Sequence, residues 1–214
     1  MLMSVTDWAT ISSLATAAGT LVLALATFAS VRSANRAARA AEQSLLVGLR
    51  PVLMPSRLQD PGEKIGFVDD HWAKVTGGHG VAEVADEAIY LAIALRNVGS
   101  GLAVLHGWCF YPDRLLGDIG PADPQAFRRL TRDLYVPAGN LGFWQGVFRD
   151  QSEPGFAEAR DAIKNGRSVT VELLYGDHEG GQRVISRFWL IPREDGSWLV
   201  SVTRHWNLDR TDPR

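Results

Sequence analysis

The sequence predicts a mainly β protein: one N-terminal transmembrane helix, then an antiparallel β-sandwich carrying one or two short helices. Three observations carry this. Residues 8–31 (WATISSLATAAGTLVLALATFASV) hold no charge over roughly 24 positions, long enough as a helix to cross a bilayer with some tilt. From residue 88 onward, short runs rich in β-branched and aromatic residues recur between turns made of Gly, Pro, Asp and Asn. The last three runs are separated by short loops, residues 177–181 (DHEGG) and 194–196 (EDG), which makes them a meander. About seven strands in all point to two packed antiparallel layers.

The flanks of the helix set its orientation. Residues 1–7 carry one Asp and no Lys or Arg, whereas the apolar run is followed at once by Arg32, Arg36 and Arg39. By the positive-inside rule the arginine-bearing side stays in the cytoplasm. The sequence thus predicts a single-pass protein of the inner (plasma) membrane, its N-terminus outside and its C-terminal domain cytoplasmic. A cleaved secretory signal would use Ala24-Leu25-Ala26 or Ala29-Ser30, but it needs a basic start and a shorter apolar core. An uncleaved anchor with an external domain is the other topology. The single cysteine, Cys109, forms no intrachain disulfide, so no disulfide-stapled extracellular module is expected.

Ser12, Thr16, Thr20 and Ala24 form an i, i+4 row in the helix, with Ala15 and Gly19 beside it. Small residues let membrane helices approach closely, so this face is a candidate for packing on another membrane protein or a second copy. The plainer reading is that small residues are tolerated in a lone anchor. Strong helix formers then run to about residue 46, which divides the chain into an anchor with its juxtamembrane helix (1–46) and a β-sandwich domain (47–214). Arg32, Arg36 and Arg39 share one helix face and would meet anionic headgroups at about 1 kcal/mol each, or act as topology signals alone. A net charge of -2 over 214 residues gives no basic excess for nucleic acid.

Residues 47–54 read as a first strand at a sheet edge, because Arg50-Pro51 and Pro55 interrupt ladder donors. Residues 55–86 look irregular, with a hairpin near 65–75. Residues 88–96 (AIYLAIALR) are apolar on both alternations and suit a strand covered on both faces. The turn 97–101 leads to a strand over 102–111. Residues 113–135 fit a short helix or another strand. A strand over 141–148 and an amphipathic helix over 156–165, ended by Gly166, precede the meander strands 168–175, 183–191 and 197–206. The last eight residues read as a frayed polar tail.

One membrane helix, trailing arginines, Arg50-Pro51, and a strand ending Leu95-Arg96-Asn97-Val98-Gly99-Ser100-Gly101 together resemble uncharacterised bacterial single-pass membrane-anchored proteins with an immunoglobulin-like domain. Such proteins often show Pro where this chain has Leu102. The resemblance implies a bacterial source and an immunoglobulin-like sandwich, and it assigns no functional residue.

No nucleophile elbow, phosphate-binding loop, paired cysteines or calcium loop is present, so the expected catalytic, cofactor and metal residues are none. Asp69-Asp70-His71 with His79, and Asp177-His178-Glu179, are the residues a membrane-bound enzyme or ligand or metal receptor would have to use. Seven tryptophans are more than composition requires. Trp144, Trp189, Trp198 and Trp206 fall in or at the ends of strands, near Arg187, Arg204 and His205, and residue types of this kind make protein interfaces. The same aromatics would instead be core if a helix and the 55–86 insertion cover both faces. The expectation is therefore a non-enzymatic, membrane-tethered binding or assembly module without a cofactor. Its partners would be the lipid bilayer and another membrane protein or copies of itself.

Overall fold

A computed structural model describes residues 5–209. The chain divides into two compact units, Met1–Leu46 and Val47–Arg214. Helix α1, Val5–Gly48, is continuous over 44 residues, about 66 Å at 1.5 Å per residue. Its stretch Trp8–Leu45 is long and apolar enough to cross a membrane. Leu21, Val22, Leu23, Leu25 and Phe28 are all exposed, and a helix apolar all round is stable only in an apolar surrounding. The hydroxyls of Ser12, Thr16, Thr20 and Thr27 donate to carbonyls of their own helix at 2.8–2.9 Å, so their polarity is satisfied locally.

The second unit is mainly β and antiparallel. Its strands are β1 (Leu53–Pro55), β2 (Glu63–Gly66), β3 (Trp72–Val75), β4 (His79–Ala85), β5 (Ala88–Asn97), β6 (Ala103–Tyr111), β7 (Arg128–Val136), β8 (Leu141–Phe148), β9 (Val169–Gly176), β10 (Val184–Pro192) and β11 (Trp198–Asn207). All but β2 and β3 join one nine-stranded, curled sheet. The meander β9-β10-β11 forms its middle, with β6 and then β7 beyond β9. On the other side β11 meets β4 at Trp198↔Gly80, and β4 pairs β5. Strand β5 carries β8 on one edge and, end to end, β1 and β4 on the other.

One face of this sheet looks inward, and its side chains build the main core. Ile89, Leu91, Ile93 and Leu95 of β5 meet Val169, Val171, Leu173 and Tyr175 of β9 there, and Trp108 and Trp144 fill the space between. Helix α2, Phe156–Lys164, adds Phe156, Ala159, Ala162 and Ile163 from its apolar face, and Gly166 follows at φ 59°, the left-handed conformation that ends it. The opposite face of β5 is covered as well. Tyr90, Ala92 and Ala94 pack under Ile65, Phe67, Ala73 and Val75 of the β2–β3 hairpin, which accounts for apolar residues on both alternations.

Asn97, fully buried, ties three segments together. Its Oδ1 accepts from the amides of Val52 (3.2 Å) and Gly99 (2.9 Å), and its Nδ2 donates to the carbonyls of Gly101 (2.7 Å) and Val136 (2.9 Å). The turn after it must approach the preceding chain closely: a Cβ on Gly101 would stand 1.7 Å from the Leu49 carbonyl oxygen. Glycine is required there.

Several expectations are corrected. The strand expected over 47–54 is only Leu53–Pro55, because the helix runs to Gly48. The ambiguous 113–135 segment is a loop, a 3-10 turn at Pro124–Ala126, and the strand β7. Strand β4 lies in the segment that looked irregular. The tail is engaged as far as Asp209, which pairs with Arg183 at 2.7 Å, and residues 210–214 lie outside the described ones.

Candidate functional site

Strands β7 and β8 are consecutive, joined by the turn 137–140, yet β7 pairs with β6 and β8 with β5. Among the described residues no ladder joins the two, so the curled sheet stays unclosed along this seam. A bulge contributes. Pairing passes from Leu105↔Leu134 to Gly107↔Arg129, two residues along β6 against five along β7, and such an insertion bends the strand.

The seam opens a groove of about 250 Å³. Trp108, Leu130, Leu134 and Val147 form an apolar floor, and Phe67 and Val68 of the β2–β3 loop line it as well. Gly146 makes room for the indoles beneath: a Cβ there would lie 2.6 Å from the Trp144 ring and 3.0 Å from the Trp108 ring. Those two indoles pack edge-on with centroids 5.4 Å apart.

Four arginines rim the floor: Arg128, Arg129, Arg132 and Arg149. The Arg128 guanidinium lies 4.7 Å from the Trp108 ring centroid and 4.4 Å from that of Phe148, and it pairs with Glu153. Arg149 donates to Asp69 at 3.2 Å. Burial pushes the Asp69 carboxyl up, but hydrogen bonds from Tyr90 (2.8 Å) and Arg149 outweigh it and hold Asp69 below its ordinary value. Tyr90 is pushed up to about 12 by burial and by the same carboxylate. Arg132 donates to the neutral amide of Gln145 at 2.9 Å across the seam. Arg129 is exposed, and its side chain makes no ion pair or hydrogen bond among the described residues. Of the four guanidinium groups, Arg128 and Arg149 pair with Glu153 and Asp69, whereas Arg129 and Arg132 have no carboxylate partner among the described residues; Arg129 also borders a second groove, beside Asp133.

The aromatic and basic residues singled out from sequence lie elsewhere. Trp144 and Trp198 belong to the main core. Arg187, Trp189, Arg204 and Trp206 do share the outer face of β10 and β11, but the chain's own 112–127 segment meets them there. Arg187 is 3% exposed, pairs with the fully buried Glu172, and donates to the carbonyls of Ile119 (3.0 Å) and Gly120 (2.7 Å). Arg204 pairs with Asp118, and the Arg114 guanidinium lies 4.1 Å over the Trp189 ring. A buried guanidinium needs its charge matched and its donors filled, and Glu172 with two loop carbonyls does both.

The histidines are dispersed. His71 stacks on Tyr90 at 3.8 Å and contacts Glu83, while His79 Nδ1 lies 2.7 Å from the Gly77 carbonyl. Asp177 accepts from the amides of Glu179 and Gly181, capping its own turn. Among the described residues no group of three or more His, Cys, Asp or Glu is placed to hold a metal. In α1, Ser12, Ala15, Thr16, Gly19, Thr20 and Ala24 are all exposed, and so are Arg32, Arg36 and Arg39.

Sequence reasoning missed the seam arginines. Their only signal was the basic run Arg128-Arg129 with Arg132, inside the segment whose secondary structure was ambiguous. No protein-family model, curated protein or solved structure matches the chain.

Proposed function

We propose that the protein is a membrane-tethered, non-enzymatic binding module that offers the β7–β8 seam to a partner protein or to a second copy. The observation that carries this reading is the groove itself: an apolar floor, arginines without carboxylate partners and, among the described residues, no ladder between the facing strands β7 and β8. Helix α1 would confine the module to a bilayer. Arginines immediately after the apolar stretch support an inner-membrane location with the β domain cytoplasmic. We further propose that the two inward-facing halves of the curled sheet act as the layers of an immunoglobulin-like sandwich. The buried Asn97 at the Arg96-Asn97-Val98-Gly99 turn supports kinship with the bacterial membrane-anchored proteins of that type.

In-cell crosslinking of the full-length protein, then detergent extraction and affinity capture, tests the reading. Wild type should give reproducible adducts that the double substitution Arg129→Gln and Arg132→Gln removes. Adducts that are the same in both proteins would take the seam out of the mechanism. Gly19→Leu and Thr20→Leu report separately on helix packing, and an unchanged oligomer size in both would show that the small-residue row does not assemble the protein.

A further inference from the structure

We infer that the seam receives an extended acidic segment of a different protein, which adds a strand between β7 and β8 and closes the sheet. This rests on the binding-module reading and specifies its partner. Strand edges come first. Each of β7 and β8 uses one edge for its ladder, so the other edge of each presents amide and carbonyl groups along the groove, the arrangement that captures an added strand.

Size separates a peptide from a small molecule. About 250 Å³ lies below the ~300–1,000 Å³ of drug-sized sites, and it suits one or two side chains dropped from a backbone that continues past the groove. Alternation then assigns those side chains. In a strand, successive residues point to opposite faces, so every second residue of the guest meets Trp108, Leu130 and Leu134, and the intervening ones face the exposed rim.

Charge sets the chemistry of the rim. The Arg129 side chain has no partner among the described residues, and Arg132 holds only the neutral Gln145 amide. A carboxylate would compete for Arg132 because it adds the attraction of opposite charges and can take two parallel N–H bonds, where the Gln145 amide offers one neutral oxygen. The chain already seats one carboxylate in this groove, Glu153 on Arg128, which shows the kind of group the rim takes. A guest alternating apolar and acidic residues satisfies floor, edges and rim together.

The test uses full-length protein in nanodiscs of uncharged lipid. Three pools of fluorescent eight-residue peptides are compared by anisotropy, all with Val, Leu, Ile or Phe at alternate positions. The intervening residues are Glu in the first pool and Lys in the second, and the third is the Glu pool with a central proline. The expected result is binding by the Glu pool alone, weakened at least about tenfold by Arg129→Gln with Arg132→Gln and by the proline. Amide exchange should slow in 128–134 and 143–149 when the Glu pool is bound. Both arginines are exposed, so the variant's melting temperature should match wild type. No binding by the Glu pool, equal binding of the proline or Lys pool, or indifference to the two substitutions would each overturn the inference. So would an oligomer that the two substitutions dissociate without any peptide binding, which would identify a second copy as the occupant. If the peptides fail while in-cell adducts still depend on Arg129 and Arg132, the binding-module reading stands and only the acidic strand is lost.

Discussion

Replacing Arg187 with Met should destabilise the β domain more than almost any other single change on its outer surface. The substitution keeps much of the side chain's length and removes its charge. It leaves Glu172, 0% exposed, with the Ala122 amide at 2.9 Å and the Tyr111 hydroxyl but no compensating charge, and it frees the Ile119 and Gly120 carbonyls. Breaking a buried pair in this way costs about 3–5 kcal/mol, because one charge is left behind without compensation. For a domain of this size each kcal/mol lowers the melting temperature by about 2–4 °C, so the expected fall is roughly 6–20 °C. The double variant Arg187→Met with Glu172→Leu leaves no buried charge and should recover most of that loss. Its 112–127 segment, no longer held by either side chain, should still exchange its amides faster than wild type. Thermal unfolding by tryptophan fluorescence, with hydrogen exchange on the same samples, measures both. A single variant that melts within about 2 °C of wild type, or a double variant no more stable than the single, would refute the argument.

Asn97→Ala should cost about 3 kcal/mol, since the amides of Val52 and Gly99 and the carbonyls of Gly101 and Val136 all lose a partner; a denaturation midpoint near wild type would contradict this. Burial and the nearby Glu172 carboxylate push the Cys109 thiol up to about 12. Its thiolate fraction at pH 8 is then on the order of 10⁻⁴, and alkylation of folded protein should be at least about a hundredfold slower than in denaturant. Hydrogen bonds from Arg183 hold the Asp209 carboxyl below its ordinary value despite the opposing effect of burial. A lowered folded value means that this stabilisation is complete above the unfolded value of about 4 and is lost as pH falls through the folded one. Asp209→Asn should therefore lower stability at neutral pH and flatten its decline below pH 4, and an unchanged acid-side slope would count against the pairing.

Much of the fold is legible in the sequence, because several elements combine a clear period with clear punctuation. Helix α1 declares itself by its uncharged run, α2 by its apolar face and Gly166, and the meander by two Gly- and Asp-bearing turns. Strand β5 reads as covered on both faces, and it is. Strand β4 escaped because the β4–β5 turn is Asp86-Glu87, both at positive φ (48° and 64°), where sequence signals lead one to expect Asn or Gly. Strand β7 stayed open between helix and strand because Arg128-Arg129-Leu130-Thr131-Arg132-Asp133 shows no strict alternation, and the bulge in its pairing with β6 explains why none is needed.

The candidate site was less legible for a topological reason. Arg128 lies on β7 and Arg149 just past the end of β8, consecutive strands that a simple hairpin would pair, and only the partner strands β6 and β5 reveal that a groove separates them. The aromatic residues misled in the opposite sense. Strand alternation sends Trp189 and Phe188 to opposite faces, as expected, with Phe188 buried in the core. What alternation does not contain is the 112–127 segment, which meets the outer face with Asp118, the Ile119 and Gly120 carbonyls and Arg114.

Whether the seam is where this tethered module meets another protein can be read from a photo-crosslinking residue built into the full-length chain in cells. Val68, 78% exposed and lining the groove, is one position, and Asp195, in the β10–β11 turn outside the groove, is the control. The expected result is a discrete adduct with a different polypeptide from position 68 and none from position 195. Equal labelling from both positions, or no adduct from position 68, would contradict it.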